Sequence, residues 1–481
     1  MSPAPRGISS ERSRQTEYAL SLTAELKKSE RFRTLVKNIE EKDGFINFFL
    51  SEGALLNELK ELFETLENGT RRLSGRNINI EFVSANPTGE LHLGHGRNAF
   101  YGDALARVLS FASASVAKEF YINDAKASRQ IQELGKTALE RGEEYKTPEL
   151  AATLSGVSFE GLSEPDAGFR AALLVQEENK KLLENAGVSF DRWYSEEKEI
   201  YENGRAQGAF EMLQEKGFLY EKDGAIWIKT SEYGDDEDRV VRRSDGTFTY
   251  FISDIAYHHE KFSRGFDTVI DVWGADHHGH VKRVQAVKRM LGWKGELLVF
   301  ITQLVSLKEG GEMRKMSKRA GTAILLKDLI ADIGLDAARW FFNEKSLGTH
   351  IAIDVALAKD ASSKNPVYYA QYAHARMSSI LKSASTITSV SGVVSFDESE
   401  RNLAFKILEF SEIVDDIAVS YHVHKLTTYA YELAAEFNQF YRDSKVLGSP
   451  EEKKRLALVL LAEKTLARTL FLLGISAPDK M

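Results

Sequence analysis

The pattern of hydrophobic and polar positions divides the chain into three parts. Up to residue 76, apolar residues recur at helical spacing, most clearly in Ala54–Leu66, where four leucines and Phe63 form one stripe. From Asn77 to residue 350, short β-branched runs alternate with helical patterns. From residue 351 to Met481, the pattern predicts successive long helices, which is typical of an all-α bundle. The last four are expected at Val367–Ser383, Asn402–Val419, Leu426–Tyr441 and Arg455–Leu473.

The middle part begins with a strand–loop–helix–strand succession. We predict a strand at Asn77–Ser84, a loop at Ala85–Leu93, a helix from His95 to Phe111 and a strand at Val116–Ile122. This order is a βαβ unit and predicts a parallel sheet. Further strands are predicted at Ala225–Lys229, Thr247–Ile252, Thr268–Trp273 and Glu296–Val305. The fold class is therefore multidomain α/β: a doubly wound, Rossmann-type domain over 77–350 with a mostly helical insertion at about 125–220, a short N-terminal domain over 1–76 and a helical domain over 351–481.

Composition narrows the classes of protein. The 481 residues are 43% hydrophobic and include no cysteine, which excludes disulfide scaffolds, thiolate catalysis and cysteine-based metal sites. The formal net charge of -8 and the absence of a basic tail leave RNA binding open without supporting it. No apolar run approaches the ~20 residues of a membrane span. The first 20 residues resemble a transit peptide in their Arg and Ser content, but Glu11 and Glu17 favour a frayed terminus. We expect a soluble, cytoplasmic monomer that does not bind membranes.

One loop carries the features of a phosphate site. His92, Gly94 and His95 follow the first predicted strand of the sheet and lead into a helix, whose first N–H groups and dipole attract anions. Two alternatives stay open from these residues alone. Gly94 to Ala99 also fits the G-x-G-x-x-A dinucleotide pattern, although that fingerprint requires its first glycine directly after the strand. The histidines could also lie in an ordinary surface turn.

A second loop, some 220 residues later, is strongly basic. It contains Lys315, Met316, Ser317 and Lys318, followed by Arg319, and it comes just after a predicted strand. Several cations on a glycine-containing loop would suit a mobile clamp that neutralises charge as pyrophosphate leaves a triphosphate. The alternative is a solvated basic loop. Neither a Walker A nor a protein-kinase signature is present.

Together, the two loops resemble the two signatures of class I aminoacyl-tRNA synthetases. The surrounding sequence is similar to that of one family, the arginyl-tRNA synthetases, almost continuously from residue 77 to residue 481. The blocks that carry the resemblance are EFVSANPTGELHLGHGRNAFYGD, FYINDA, VRRSDGTFTYFISDIAYH, GFDTVIDVWGADHHGH, NPVYYAQYAHAR and the ending GISAPDKM. The N-terminal part resembles the end of the family's tRNA-elbow domain in shortened form, which leaves elbow recognition in doubt.

The resemblance implies ligation of L-arginine to tRNA(Arg) in two steps. Arginine and ATP, which brings Mg²⁺, give arginyl-adenylate and pyrophosphate, and the arginyl group then passes to the end of the tRNA. No protein-bound metal is implied, and the family usually needs tRNA for arginine activation. The implied catalytic residues are His92, His95, Lys318 and, secondarily, Lys315. The implied ATP contacts are His92, Gly94, His95, Met316, Ser317 and Lys318, and the implied arginine contacts are Glu81, Ser84, Asn86, Tyr250, Asp254 and His277.

Some of these roles can be weighed against simpler ones. A buried guanidinium requires a carboxylate in fork geometry, which suits Asp254 and Glu81. Without the resemblance, Asp254 could instead be an N-cap of the apolar helix that follows it. His277, His278 and His280, with Asp276 beside them, could alternatively be metal ligands.

The C-terminal part resembles the family's anticodon-binding domain. The implied RNA contacts are Tyr368, Tyr372, His374, Arg376 and Met481. Aromatic side chains here would stack on unpaired bases, unless the tyrosines pack between helices instead. Two other functions remain as hypotheses: a relative that binds RNA without ligase activity, and a nucleotidylyltransferase, which would have no use for a tRNA-reading domain.

Overall fold

A computed structural model describes residues 8–42, 44–309, 312–314, 324–384 and 395–481. The N-terminal part contains helices and one hairpin. Serine side chains cap two of its helices, because Ser29 and Ser51 each accept a hydrogen bond from the first turn. The elements are α1 (Ile8–Leu26), α2 (Glu30–Leu35), β1 (Val36–Lys42), β2 (Phe45–Leu50) and α3 (Glu52–Asn68).

The middle part is built on one parallel sheet. Its strands are short and contain β-branched residues, and their buried faces lie between layers of helices. The first elements are β3 (Asn77–Glu81), α4 (Leu93–Phe111), β4 (Ser115–Ile122), α5 (Arg129–Ala138), α6 (Pro148–Leu154), α7 (Glu164–Asn185) and β5 (Arg192–Ser195). After a π-helical segment they continue with α8 (Arg205–Glu215), β6 (Leu219–Lys222), β7 (Ala225–Ile228), β8 (Arg239–Arg242), α9 (Tyr250–Ser263), β9 (Thr268–Gly274), α10 (Val281–Leu291) and β10 (Glu296–Thr302).

The strand order of the sheet determines where a ligand can bind. The order is β10-β9-β3-β4-β5, with every neighbouring pair parallel. The chain moves from β3 outward to β4 and β5, and then returns to the other side of β3 through β9. In such sheets, ligands bind outside the carboxyl ends of the strands where the order reverses. The loops that follow β3 and β9 therefore flank the expected crevice.

The remaining elements join the sheet domain to the helical part. A small sheet of order β12-β11-β13 follows β10, and long helices then pack on one another and on α3 and α4. These elements are β11 (Val305–Glu309), β12 (Glu312–Arg314), α11 (Leu326–Ile333), α12 (Leu335–Asn343), β13 (Ile351–Asp354), α13 (Val355–Lys359), α14 (Pro366–Ser383), α15 (Glu398–Ser420), α16 (His424–Asp443) and α17 (Glu452–Leu473). In the described part of the chain, no helix is both long enough and apolar enough to span a membrane.

The fold class predicted from the sequence is confirmed, and three local predictions are wrong. The first strand ends at Glu81 rather than Ser84, because Val83 and Ser84 take left-handed backbone conformations with φ of 70° and 39°. Residues 250–252 begin helix α9 instead of ending a strand. Within the predicted helical insertion, residues 192–195 form strand β5 at the sheet edge. Its four residues are too few to stand out from the helical patterns around them.

Candidate active site

The start of α4 is capped by two imidazoles. His92 Nδ1 accepts a hydrogen bond from Gly94 N at 3.1 Å, and His95 Nδ1 accepts one from His92 N at 3.2 Å. The rings stack with their centroids 3.7 Å apart. Because both Nδ1 atoms accept from backbone N–H groups, each neutral ring carries its proton on Nε2. The helix start therefore combines a favourable dipole with two oriented imidazole donors, which is a suitable environment for phosphate oxygens.

The same loop is paired with the residues that follow the basic loop. Leu93 N donates to Ile324 O at 3.2 Å, and Leu326 N donates to Leu91 O at 2.8 Å. Gly96 allows this approach, because a Cβ at its position would lie 2.6 Å from Leu326 Cδ1. Segments more than 220 residues apart in sequence thus meet at one end of α4. Lys315, Met316, Ser317 and Lys318 lie outside the described residues, and their roles stay predictions.

The carboxylate of Asp254, which is partly exposed, is a second candidate part of the site. It lies in α9, whose N-cap is Thr249, so the alternative reading of Asp254 as an N-cap is wrong. Burial raises the pKa of Asp254 to about 6, and Glu81 adds to the rise while His258 and His277 oppose it. Among the described residues, no hydrogen bond or ion pair satisfies this carboxylate. A desolvated acid without a cation is a strong indication of a site for a cationic ligand.

Glu196, which sequence reasoning missed, is a second acid at the same place. It is 3% exposed and precedes the π-helical segment Glu197–Glu202. Burial raises the pKa of Glu196 to about 8 against a hydrogen bond from Ser253, and the negative charge of Asp254 adds to the rise. This effect of Asp254 on Glu196 requires the two carboxyl groups to lie near each other. π-helical turns are frequent at functional sites. Sequence reasoning missed Glu196 because the strand before it has only four residues and no recognisable pattern.

Glu81, in contrast, is already neutralised by the protein. Its Oε2 lies 2.6 Å from Lys261 Nζ and 2.8 Å from Tyr257 Oη, and its Oε1 accepts from Ser84 Oγ at 2.8 Å. Lys261 is fully buried and also bonds Asp271 Oδ1 at 2.9 Å. With both oxygens engaged, Glu81 is a weaker candidate for the guanidinium than the sequence indicated. Asp254 and Glu196, which form no ion pair among the described residues, remain available for that contact.

Ser84, also predicted as an arginine contact, bonds mainly to the protein. Its Oγ accepts from Tyr121 N at 3.1 Å, and its carbonyl accepts from Asn123 Nδ2 at 3.3 Å. These bonds tie the end of β3 to the end of β4. The left-handed backbone of Ser84 is the kind of local strain that recurs at binding sites.

Asn86, Tyr250 and His277 are exposed side chains around the crevice. Asn86 follows β3, whereas His277 follows β9, as the sheet topology requires. Tyr250 is 53% exposed and its hydroxyl lies 3.3 Å from Ser128 Oγ at the start of α5. His277 also influences the pKa of Asp254, which places the two groups in one electrostatic environment. The structure therefore relates His277 to Asp254, and the roles of Asn86 and Tyr250 in the site stay predictions.

The histidine run after β9 does not form a metal site among the described residues. His277 and His280 have ring centroids 5.6 Å apart, but His277, His278 and His280 do not bring three ligand atoms within reach of one ion. His374, Glu463 and Asp479 do bring three ligand atoms together, far along the chain. His374 and Glu463 there already form an ion-pair contact of 3.3 Å, and Lys382 bonds Asp479.

Three of the predicted RNA contacts of α14, Tyr368, Tyr372 and Arg376, line an open cleft of about 540 Å³. Tyr368 and Tyr372 stack in parallel planes with centroids 6.1 Å apart. The guanidinium of Arg376 lies over the Tyr372 ring at 4.8 Å and bonds Asn438 Oδ1 at 3.0 Å. Tyr372 is 39% exposed, so it is not simply packed between helices. A stacked aromatic and guanidinium surface of this kind suits unpaired bases.

His374 differs from its neighbours on α14. It is 2% exposed, and its Nδ1 lies 2.9 Å from Pro478 O in the C-terminal segment. A side chain in this position cannot stack on a base, so the prediction of a direct RNA contact by His374 is wrong. It fixes the segment that carries Met481, which is itself exposed.

Comparison with known proteins assigns the class first. A family model described as "tRNA synthetases class I (R), catalytic domain" matches residues 123–380, and one described as "DALR anticodon binding domain" matches residues 370–481. The second match disfavours a nucleotidylyltransferase without a tRNA-reading domain. The fold and the site therefore define a class I aminoacyl-tRNA synthetase.

Individual relatives then specify the family. An arginine–tRNA ligase of Listeria monocytogenes serotype 4b (strain F2365) is 42% identical over 501 residues, covering 97% of this chain and 89% of the relative. An arginine–tRNA ligase of Bacillus subtilis (strain 168) is 43% identical over 472 residues, covering 91% and 84%. The solved arginyl-tRNA synthetase of Thermus thermophilus shares the fold, with a TM-score of 0.78 at 23% identity over 100% of this chain and 96% of that one. The chain belongs to the arginine–tRNA ligase family.

Proposed function

We propose that this chain ligates L-arginine to tRNA(Arg) with ATP, as its family membership indicates. The observation that carries the proposal is a pair of acids, Asp254 and Glu196, whose pKa values are raised and which form no ion pair among the described residues; such acids suit a guanidinium. The start of α4, capped by two imidazoles, supports it further because it suits a triphosphate. Arginine's carboxylate would then be directed toward the α-phosphate of ATP.

The reaction needs no side-chain nucleophile. An oxygen of the arginine carboxylate attacks the α-phosphorus, the bond to the bridging oxygen of the β-phosphate breaks, and pyrophosphate leaves with the negative charge. A terminal ribose hydroxyl of tRNA then attacks the adenylate's carbonyl carbon, loses its proton, and AMP leaves. Catalysis in both steps consists of positioning and of stabilising charge on phosphate oxygens. His92 and His95 would donate to those oxygens from Nε2, and Gly94 would let the nucleotide approach the backbone.

The basic loop would complete the phosphate site. Lys318, with Lys315 in a secondary role, would neutralise the leaving pyrophosphate, and Met316 and Ser317 would contact ATP. Lys318→Ala should therefore lower adenylate formation by about 10²-fold or more while leaving arginine affinity nearly unchanged. Mg²⁺ would enter with ATP as its counter-ion and supply further charge neutralisation. We also propose that the enzyme acts as a monomer in the cytoplasm.

The test is formation of arginyl-tRNA from arginine, ATP and tRNA(Arg), together with arginine-dependent exchange of pyrophosphate into ATP. Exchange is measured with and without tRNA, because the family's activation step usually requires it. Charging of tRNA(Arg) with arginine is the expected result. RNA binding without charging would instead support the hypothesis of a relative that has lost its ligase activity.

A further inference from the structure

The helix that begins with His92 and His95 also forms the main contact with the C-terminal helices. Residues Leu93–Phe111 make up α4, and its body packs against α12, α15 and α17. One face of its start thus belongs to the candidate nucleotide site, and its other end touches the part that matches the anticodon-binding model. The contacts that hold α4 in place therefore determine how the C-terminal helices and the candidate nucleotide site affect each other.

The central contact is a buried arginine, Arg339, on α12. Its side chain is 1% exposed, and its Nη1 bonds Asp103 Oδ2 on α4 at 2.9 Å and Leu473 O at the end of α17 at 3.1 Å. Its Nη2 and Nε bond Ala186 O after α7, at 2.7 and 3.2 Å. One guanidinium therefore connects α4, the insertion and the last helix. The planar guanidinium makes four hydrogen bonds to these three acceptors, which the three donors of a lysine, without the fork geometry, cannot reproduce.

The backbone around Arg339 is shaped to admit it. Gly474 ends α17 with φ of 70°, and a Cβ at its position would lie 2.0 Å from Arg339 Nη1. A helix end with its last carbonyls directed at a cation is favourable because of the helix dipole. The same turn of α17 leads directly into the C-terminal segment that His374 fixes through Pro478 O. The arginine contact is thus continuous with the RNA-facing part of the chain.

Two further contacts of α4 reinforce the junction. Tyr101 Oη donates to Tyr421 O at the end of α15 at 2.9 Å. Arg107, also on α4, crosses to α17 through Nη1, which bonds Phe471 O at 3.4 Å. Its Nε bonds Asp103 Oδ2 at 2.8 Å within α4, so Asp103 accepts from two guanidinium groups. Asp103 is 2% exposed, and a buried carboxylate with two cations is a rigid point of attachment.

We propose that Arg339 is a positioning residue that holds α4 in register with the C-terminal helices, so that RNA bound there affects catalysis at the start of α4. The inference rests on the proposed function, since it concerns how that reaction depends on tRNA. Arg339 touches no substrate. Its replacement should therefore change kcat and the response to tRNA, and leave the arginine pocket unaffected.

The kinetic test is a double-mutant cycle in tRNA charging, with Arg339→Lys and the RNA-surface variant Tyr372→Ala. Arg339→Lys should lower kcat by about tenfold or more, because small misplacements of reacting groups are costly, and should change the arginine KM less than about twofold. In the wild type, Tyr372→Ala should lower kcat as well as raise the KM for tRNA. In the Arg339→Lys background, Tyr372→Ala should raise the KM for tRNA and leave kcat unchanged.

The matched control is Arg455→Lys. Arg455 is partly buried, with 15% of its side chain exposed against 1% for Arg339, and it bonds Glu400 Oε1, Asp397 Oδ2 and Lys445 O, all within the C-terminal part. It should reduce thermal stability without altering the kcat response to Tyr372→Ala. Asp103→Asn, which keeps the shape of the junction and weakens the same contact, is the second variant in case Arg339→Lys does not fold.

Hydrogen–deuterium exchange tests the proposal independently of activity. Amides of residues 93–111 should exchange faster in Arg339→Lys, or in Asp103→Asn, than in Arg455→Lys. Equal exchange in all variants, or kinetic effects of Arg339→Lys and Tyr372→Ala that simply multiply, would overturn the role of Arg339. Failure of the wild-type chain to charge tRNA in the same assay would overturn the proposed function instead.

Discussion

Two groups of acidic side chains in the sheet domain have opposite electrostatic environments. In the first, Lys261 bonds Glu81 and Asp271, and Arg264 bonds Glu119. Although burial opposes it, Lys261 and His258 hold the pKa of Asp271 below its usual range. In the second, Asp254 and Glu196 lack such a cation, and burial raises the pKa of Asp254 to about 6 and that of Glu196 to about 8.

The difference in cationic partners separates acids that stabilise the fold from acids that are candidates for binding a substrate. The first group is neutralised by cations of the protein itself and contributes to the fold. The second group is unfavourable for the empty protein, because Asp254 keeps a desolvated charge without an ion pair among the described residues, and Glu196, with a pKa of about 8, must lose a proton to become charged. Such a cost persists where a ligand supplies the missing cation, and a guanidinium is the cation that best matches two carboxylates.

The largest effect should come from removing the shared cation of the first group. Lys261→Met leaves Glu81 and Asp271 buried without a partner, so the free energy of unfolding should fall by about 3–5 kcal/mol. Chemical denaturation measures this loss. An unfolding free energy within error of the wild type would mean that the network is not what stabilises this region.

Asp254→Asn should have the reverse profile. The KM for arginine should rise by about 100-fold, because a charge-assisted, desolvated contact is lost. The melting temperature should stay constant or rise, since an uncompensated buried charge disappears. Steady-state kinetics and thermal unfolding of the same preparation check both parts. An unaltered KM would remove Asp254 from the site.

Glu196→Gln should resemble Asp254→Asn with a smaller magnitude. Because Glu196 has a pKa of about 8, most of the population is already protonated at neutral pH in the empty protein, so we expect a rise in the arginine KM of only about tenfold. Glu197→Gln is the matched control on the next residue, since Glu197 Oε2 accepts from Lys126 N within the protein. A larger effect on the KM from Glu197→Gln than from Glu196→Gln would reverse the assignment.

The pH dependence should also separate the two groups. A guanidinium needs the charged form of Asp254, so the arginine KM should rise by about tenfold per pH unit below pH 6, and Asp254→Asn should abolish this dependence. For stability the signs are opposite. The raised pKa of Asp254 means that the folded state gains protons first, so its contribution improves as pH falls toward its unfolded pKa. Asp271, with a lowered pKa, contributes stability that is lost as pH falls through its folded pKa.

Much of the fold was predictable because its signals are local. The periodicity of the helices α14 to α17 and the β-branched strands β3, β4 and β9 are evident in short windows of sequence. Strand β5 was not, since four residues have no periodicity of their own and pair only in the folded sheet. Residues 250–252 read as a strand because they are aromatic and β-branched, but their place at the start of α9 outweighs that propensity.

The sequence motifs of the site could be predicted, but the ion pairs that neutralise its acidic residues could not. His92 and Asp254 follow from short sequence blocks. The neutralisation of Glu81 does not, because Lys261 lies 180 residues away and reaches it only through the packing of α9 on the sheet. The burial of His374 likewise depends on the C-terminal segment, about 100 residues downstream, folding back onto α14. Contacts of this kind follow from tertiary structure and have no local signature.

Discrimination between arginine and citrulline tests the central claim most directly, because citrulline has nearly the same shape and carries no charge. If the substrate supplies the cation that Asp254 and Glu196 lack, the wild-type kcat/KM should favour arginine by about 10⁴-fold or more. In Asp254→Asn the preference should fall by about 100-fold. An equal preference in the two proteins would contradict the account.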